Sequence, residues 1–347
     1  MTRVDTNATD LLAQLAPWLA EHAPQIGPAV EMIKFSVGQS NPTYELVTKQ
    51  GRYVLRTQPA GVLLKSAHAV DREFQVMAAL DGTAVPVPKM VAECRDATVI
   101  GRKFFVMEKV AGTAVFDPSL NDYTPTDRSQ LYHKQTDILA ALATLDPSAI
   151  GLEDFGKPAG YIDRQFATWT RQYRASQTED LAEMEFLITH LEDALGEALP
   201  GVCVIHGDFR LDNMLLQNGT DIQALIDWEL STLGPAFVDL SYWCAMLRMD
   251  QRWPIGGLGG VDRAAIGIPA EADLVARFCH QTGYEKPAHW DALIAFQCFR
   301  FAAILQGVLK RHLDGNASAS NAASVGGQAA PMAVLGANIL RDYLGAH

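Results

Sequence analysis

The stretch Val202–Asp239, VCVIHGDFRLDNMLLQNGTDIQALIDWELSTLGPAFVD, decides the fold. Val202 to Ile205 is a short apolar run, after which His206-Gly207-Asp208 breaks into a polar loop that ends at Asn213. Two further apolar runs follow, Met214 to Leu216 and Ile222 to Ile226. The Asn218-Gly219 pair between them is a strong hairpin signal. Asn213 therefore stands just before the first strand and Asp227 just after the second. Both reach the open end of one hairpin, on strands about 5 Å apart. Two hard oxygen donors side by side suit Mg²⁺, which takes one or two protein oxygens and completes its octahedron with phosphate and water. Asp208 lies in the same loop and is free to face an incoming hydroxyl. Any one of these residues alone would read as a solvated turn; the joint spacing is what points to chemistry.

The pattern Asp208-x-x-x-x-Asn213, followed by a hairpin and Asp227, resembles the catalytic loop and metal-binding Asp of protein kinases. His-Gly-Asp in place of His-Arg-Asp, and Ile-Asp-Trp in place of Asp-Phe-Gly, is similar to the aminoglycoside phosphotransferase and choline kinase group. The short connection from Asp227 to Asp239 leaves no room for a long activation loop, which disfavours protein substrates. The resemblance implies an α+β, protein-kinase-like two-lobed fold. Residues 1–110 would form a nucleotide-binding lobe with an antiparallel sheet, one helix and a leading helix; residues 111–347 would form a mostly helical catalytic and acceptor-binding lobe. It also implies ATP and Mg²⁺ as cofactors, Asp208 as base, and Asn213 and Asp227 as metal ligands. Arg210 takes the place where kinases commonly carry a Lys near the transferring phosphate. His206 reads as a loop-orienting residue, because Asp208 already supplies the base. Asp239 sits among apolar residues at a helix start and, if buried, needs donors; the backbone of the Asp208 loop is the expected source.

In the N-terminal part, Thr9 can cap a helix with Leu11, Leu12, Leu15, Trp18 and Leu19 on one face, and Pro17 predicts a kink or early stop. Val30–Val37, Thr43–Thr48 and Tyr53–Thr57 read as three antiparallel strands. By the resemblance, the turn from Ser36 to Asn41 stands where a kinase has its glycine-rich loop, with Gly38, Ser40 and Asn41 offering donors to phosphate. Arg56 occupies the place of the Lys that holds the α- and β-phosphates. Ser66 is expected to cap a helix with a stripe of Val70, Phe74, Met77 and Leu80, and Glu73 lies on the inward edge of that stripe. A carboxylate there wants a cation. Arg56 is its natural partner, the counterpart of the Lys–Glu pair in kinases. Arg for Lys is not a conservative change, which keeps open a second function class, a catalytically silent nucleotide-binding module. Val91–Ile100 and Lys103–Val110 read as two more strands. The resemblance then makes Glu108 and Val110 part of a hinge facing adenine.

Beyond Gly112 the chain turns helical, with apolar residues at helical spacing in 126–145, 161–174 and 181–195. Arg164, Trp169 and Tyr173 are candidates to border the acceptor pocket. Pro254–Pro269 is Gly-rich and reads as a lid or a surface excursion. Trp290–His312 is apolar almost all round but contains Arg300, which needs a partner if it points inward. Residues 314–328 read as a small, polar linker, and a final helix is expected over about 330–344.

With 347 residues, 48% of them hydrophobic and 20% charged, the chain can bury a sizeable core. Its net charge of -12 and the absence of a basic stripe argue against a nucleic-acid partner. The five cysteines, at 94, 203, 244, 279 and 298, contain no C-x-x-C and leave one unpaired, as expected in a reducing cytoplasm. No run is read as approaching the roughly 20 apolar residues that span a bilayer, so no membrane partner is expected. P-loop, zincin and serine-hydrolase motifs are absent from the sequence.

The strings HGDFRLDN, IDWELSTLG and FRFAAILQGVLKRHLDGNASA are similar to the kinase-like domain that some proteins carry joined to acyl-CoA dehydrogenases. This branch of the resemblance implies a small-molecule hydroxyl acceptor, a hydroxyacyl-CoA or a related metabolite. An aminoglycoside is the alternative. It is a polycation and wants an acidic pocket, whereas an anionic coenzyme A thioester wants Arg300, Lys310, Arg311 or neighbours turned toward the cleft.

Overall fold

A computed structural model of the chain describes residues 6–35, 41–59, 69–196, 198–315 and 321–346. Gly38, Ser40 and Ser66 lie outside the described residues.

The first helix, α1 (Thr6–His22), runs straight through Pro17, and Thr9 lies inside it rather than at its cap. Its Leu11, Leu15, Trp18 and Leu19 are buried with Leu46, Leu55 and Phe104 of the sheet. That packing outweighs the backbone donor missing at Pro17, since most helix stability comes from a buried face. The strands β1 (Ala29–Lys34), β2 (Thr43–Thr48) and β3 (Arg52–Thr57) lead to α2 (Val70–Leu80), then β4 (Met90–Cys94) and β5 (Phe104–Glu108). They form one antiparallel sheet in the order β1-β2-β3-β5-β4. Alternation along the strands separates two faces. Leu55, Phe104 and Val106 join the α1 cluster, while Val54, Phe105 and Met107 share the main core with α2. β4 stops at Cys94, short of the expected Ile100, because Asp96 Oδ1 accepts from Thr98 N at 2.8 Å and turns the chain.

Helical structure dominates the remainder. α3 (Pro125–Thr144) opens with a capping box between Thr124 and Asp127, and is followed by α4 (Tyr161–Ser176) and α5 (Ala182–Leu195). Four short strands come next: β6 (Cys203–Ile205), β7 (Met214–Gln217), β8 (Asp221–Leu225) and β9 (Thr232–Gly234). β6 pairs with β9, and β7 with β8. The chain then forms α6 (Val238–Arg248), α7 (Arg263–Ile266), α8 (Glu271–Thr282), α9 (Trp290–Leu313), α10 (Ala322–Gly326) and α11 (Ala329–Gly345).

α9 corrects one expectation. Its 24 residues include an 18-residue window of mean hydropathy 1.7, long and apolar enough to cross a membrane by length and composition, yet 78% of that window is buried within the protein. A second correction concerns residues 314–328, where α10 replaces part of the expected linker. Gly326 permits it, because a Cβ there would stand 2.6 Å from the Leu309 nitrogen on α9. The cysteines are all free thiols.

Candidate active site

The β7–β8 hairpin turns through Asn218 and Gly219, whose φ values are 51° and 87°, the left-handed geometry such a turn requires. Met214 pairs with Leu225, and Ile226 N donates to Asn213 O at 2.9 Å. This register brings Asn213 and Asp227 to the same end. Asp227 has φ 68° and ψ 58°, a left-handed conformation that Asp tolerates better than most residues, and it leads into a single turn over Trp228–Leu230.

The preceding loop is held from three sides. Asp239, in the first turn of α6, accepts from His206 N at 2.6 Å and from Gly207 N at 2.9 Å, so this buried carboxylate finds donors in the Asp208 loop backbone. Burial pushes its carboxyl above the ordinary range against the pull of those donors. His206 Nδ1 accepts from Asp208 N at 3.2 Å, which leaves Nε2 to donate to Ile226 O at 3.0 Å and ties the loop to the hairpin. Arg300 donates from Nη2 to Gly207 O at 2.8 Å and lies over the rings of Tyr242 and Trp169, 5.1 and 5.8 Å from their centroids. Its inward charge is met by a carbonyl and two aromatic faces. Gly207 has φ 87°, and a Cβ there would stand 2.8 Å from Leu230 O, so His-Gly-Asp requires its glycine.

Asp208 is clamped at both oxygens. Tyr242 donates its hydroxyl to Oδ1 at 2.6 Å; Asn213 Nδ2 donates to Oδ2 at 3.2 Å and to the Asp208 carbonyl at 2.9 Å. With the Asn213 nitrogen committed inward, its oxygen is the atom left for a cation. Sequence reading missed Tyr242. The available signal was its position three residues after Asp239, one turn along the same helix.

Arg56 and Glu73 meet between sheet and helix. Arg56 Nε donates to Glu73 Oε2 at 2.7 Å and Nη2 to Asp227 Oδ1 at 2.5 Å, with Glu229 Oε2 3.9 Å away. Asn41 Nδ2 donates to the same Glu229 oxygen at 3.2 Å. Three carboxylates thus crowd one guanidinium. Burial pushes the Glu73 carboxyl up to about 7, Arg56 pulls it down, and Asp227 adds to the upward push. Such an excess of negative charge fits a divalent cation. Among the described residues no group of three or more His, Cys, Asp or Glu forms a metal cluster, and one Asp with one Asn oxygen is the donor set that suits Mg²⁺.

These residues line a cavity of about 410 Å³ with an apolar wall of Val54, Met77 and Met107; Arg56, Glu73, Asn213 and Asp227 border it, and Glu108 and Val110 lie at the β5 end. Lys109 borders the cavity as well and pairs with Glu45 at 2.7 Å. Arg210 borders a second cavity of about 170 Å³. It grips Asp212 with Nε at 2.9 Å and with Nη2, and Asp212 and Phe116 border both cavities. Arg164, Trp169 and Tyr173 line neither. Arg164 donates to the Ala159 and Lys157 carbonyls, and Tyr173 is fully buried in the core. Nor do the expected acceptor-side cations line either cavity: Arg300 is spent on Gly207, and Lys310 pairs with Asp314 at 2.6 Å beside exposed Arg311. The last turn of α9 is where basic residues suit the helix dipole.

Residues 31–293 match the model of the phosphotransferase enzyme family. The chain is 40% identical over 311 residues to acyl-CoA dehydrogenase family member 10 of Mus musculus, covering 89% of this chain and 29% of that protein. It is 34% identical over 339 residues to family member 11 of Rattus norvegicus, covering 96% and 44%. The chain therefore spans less than half the length of these relatives. A crystal structure from Ralstonia eutropha, described as a candidate aminoglycoside phosphotransferase, has a TM-score of 0.85 at 39% identity, covering 95% of this chain and 98% of that one. An aminoglycoside phosphotransferase in ternary complex with ADP and hygromycin B shares the fold, with a TM-score of 0.61 at 14% identity over 94% of this chain and 98% of that one. The two-lobed, kinase-like α+β fold expected from the sequence is the one observed. By the family match over most of its length, this chain belongs to the phosphotransferase enzyme family and is a kinase-type phosphotransferase.

Proposed function

We propose that the protein uses ATP and Mg²⁺ to phosphorylate a hydroxyl of a small molecule, and that this acceptor is a hydroxyacyl thioester. The observation that carries the reading is that Arg56, Asn213 and Asp227 border one cavity, Asp227 bonded to Arg56 and Asn213 bonded to Asp208 behind it.

Asp227 and the Asn213 oxygen would hold Mg²⁺, which when bound neutralises charge on the phosphate oxygens. Arg56, oriented by Glu73, would hold the α- and β-phosphates, with Asn41 bonded to the neighbouring Glu229. Val54, Met77 and Met107 offer apolar surface to adenine beside Glu108 and Val110. Asp208, held in one orientation by Tyr242 and Asn213, aligns the acceptor hydroxyl. It takes the proton as the oxygen bonds to the γ-phosphorus and the bond to the β–γ bridging oxygen breaks. There is little covalent chemistry for the protein to supply, so positioning and charge neutralisation carry the rate.

Two observations favour a hydroxyacyl acceptor over an aminoglycoside, although the cations expected to meet a coenzyme A end, Arg300, Lys310 and Arg311, border neither cavity. The named relatives are acyl-CoA dehydrogenase family members. The second cavity has a single carboxylate on its wall, Asp212, already paired with Arg210; a polycation would need unpaired acids there. A screen of ATP consumption against hydroxyacyl-CoAs and aminoglycosides tests the reading. Turnover with the thioesters alone supports it, turnover with aminoglycosides alone replaces its acceptor, and ATP binding without turnover on any acceptor favours a silent nucleotide-binding module.

A further inference from the structure

The second cavity holds an unexplained buried acceptor. Gln135, on α3, is 1% exposed and lines this cavity, and its Oε1 has no hydrogen-bond partner among the described residues. Its orientation is set by its own helix, since Nε2 donates to Leu131 O at 3.4 Å. Exchanging the two amide atoms would face oxygen with oxygen. A buried carbonyl oxygen without a donor is costly and calls for a reason. An ordered water is a poor one, because it needs two to four polar partners and the charged groups on this wall, Arg210 and Asp212, already satisfy each other. The rest of the lining is largely apolar, including Trp243, Met246, Leu247 and Ile255.

We infer that this cavity is the recognition pocket for the non-reacting end of the acceptor, and that Gln135 is its specificity-determining residue. The inference rests on the phosphotransferase reading and deepens it. Three features define the occupant. The volume, about 170 Å³, is close to the roughly 150 Å³ of a cavity that holds benzene, so the group is compact, about the size of a six-membered ring or a short acyl chain. It is uncharged and mostly apolar, since the two charges on the wall, Arg210 and Asp212, pair with each other and the rest of the lining is largely apolar. It carries one N–H or O–H donor for Gln135 Oε1. Phe116 and Asp212, which border both cavities, mark where the acceptor passes from this pocket to the phosphate.

The test compares two probes that differ by one donor, benzyl alcohol and toluene, titrated by calorimetry into the full chain with a non-hydrolysable MgATP analogue bound. The wild type should bind benzyl alcohol about tenfold more tightly, the value of a hydrogen bond to an otherwise unsatisfied group. Gln135→Met, near in shape but with no acceptor, should lose that preference while binding the MgATP analogue unchanged. Phe116→Ala alters an exposed wall with no risk to the core and should weaken both probes alike. Among short and long hydroxyacyl-CoAs, Gln135→Met should raise the acceptor KM and leave the ATP KM as it was. Equal binding of the two probes to the wild type, a preference that survives Gln135→Met, or displacement of the nucleotide by benzyl alcohol would each overturn the pocket assignment. A wild type that binds no MgATP analogue would instead count against the phosphotransferase reading, and calorimetry would still decide the pocket.

Discussion

Arg56 Nη2 lies 2.5 Å from Asp227 Oδ1, although 171 residues separate them in the chain. The same guanidinium holds Glu73 through Nε at 2.7 Å, so one side chain joins the sheet, α2 and the hairpin loop. This is a use that Lys, a single point charge, cannot reproduce in the same geometry. It gives the departure from the kinase pattern a structural role.

Removing this Arg should therefore expose a buried charge. Arg56→Met leaves Glu73, whose side chain is 2% exposed, without a cation and is expected to cost about 3–5 kcal/mol in urea unfolding. The double variant with Glu73→Met should recover much of the loss. A single variant as stable as the wild type would mean that the pair is not coupled.

Asp208→Asn should retain ATP affinity in thermal-shift titrations while losing at least about a hundredfold in kcat on an identified acceptor, the usual reach of a positioned base. Normal turnover by this variant would remove Asp208 from the proton path.

Tyr242→Phe deletes only the hydroxyl that holds Asp208 Oδ1. We expect kcat to fall by about tenfold, one hydrogen bond to a charged group, with the KM for ATP unchanged and the melting temperature within a few degrees. An equal loss in kcat and in nucleotide affinity would show a general structural defect in place of a positioning one.

Asn213→Ala and Asp227→Ala should each weaken the dependence of ATP binding on added Mg²⁺. The readout is the ratio of ATP affinities with Mg²⁺ and with a chelator. Wild-type ratios in both variants would rule these residues out as the ligands.

Glu271 supplies a pH signature away from the site. Arg248 grips it with Nε at 2.8 Å and Nη2 at 2.6 Å, and Trp290 Nε1 adds a third donor at 3.1 Å. Burial alone would raise its carboxyl; these partners outweigh burial and hold it below the ordinary value of 4.5. A lowered folded-state value means that the stabilisation is complete above the ordinary carboxylate range and is lost as pH falls through the lowered one. Glu271→Gln should cost about 1–3 kcal/mol at neutral pH, with a gap to wild type that closes under acid. A gap independent of pH would point to packing as the cause.

Much of the site was legible because its key spacings are local. Asn218-Gly219 dictates a tight hairpin, and a tight hairpin brings Asn213 and Asp227 together whatever surrounds them. Glu73 could be read as inward because the stripe on α2 places it there, and a buried Asp239 had to find donors close by. Long side chains were less readable. Arg210 turned to Asp212, Lys310 to Asp314 and Arg300 to the Gly207 carbonyl, because several nearby partners compete for a flexible cation and packing chooses among them.

The amino-acid order by itself determined most of the longer secondary elements, the hairpin and the grouping of the acidic and amide residues at its end, since these follow from turn chemistry and periodicity over a few residues. Tertiary structure decided the clamp of Tyr242 on Asp208, the Arg56 bridge to Asp227 and the pocket around Gln135. Each joins groups from elements far apart in the chain, and their separation is set by how the core packs, a quantity that no local pattern contains.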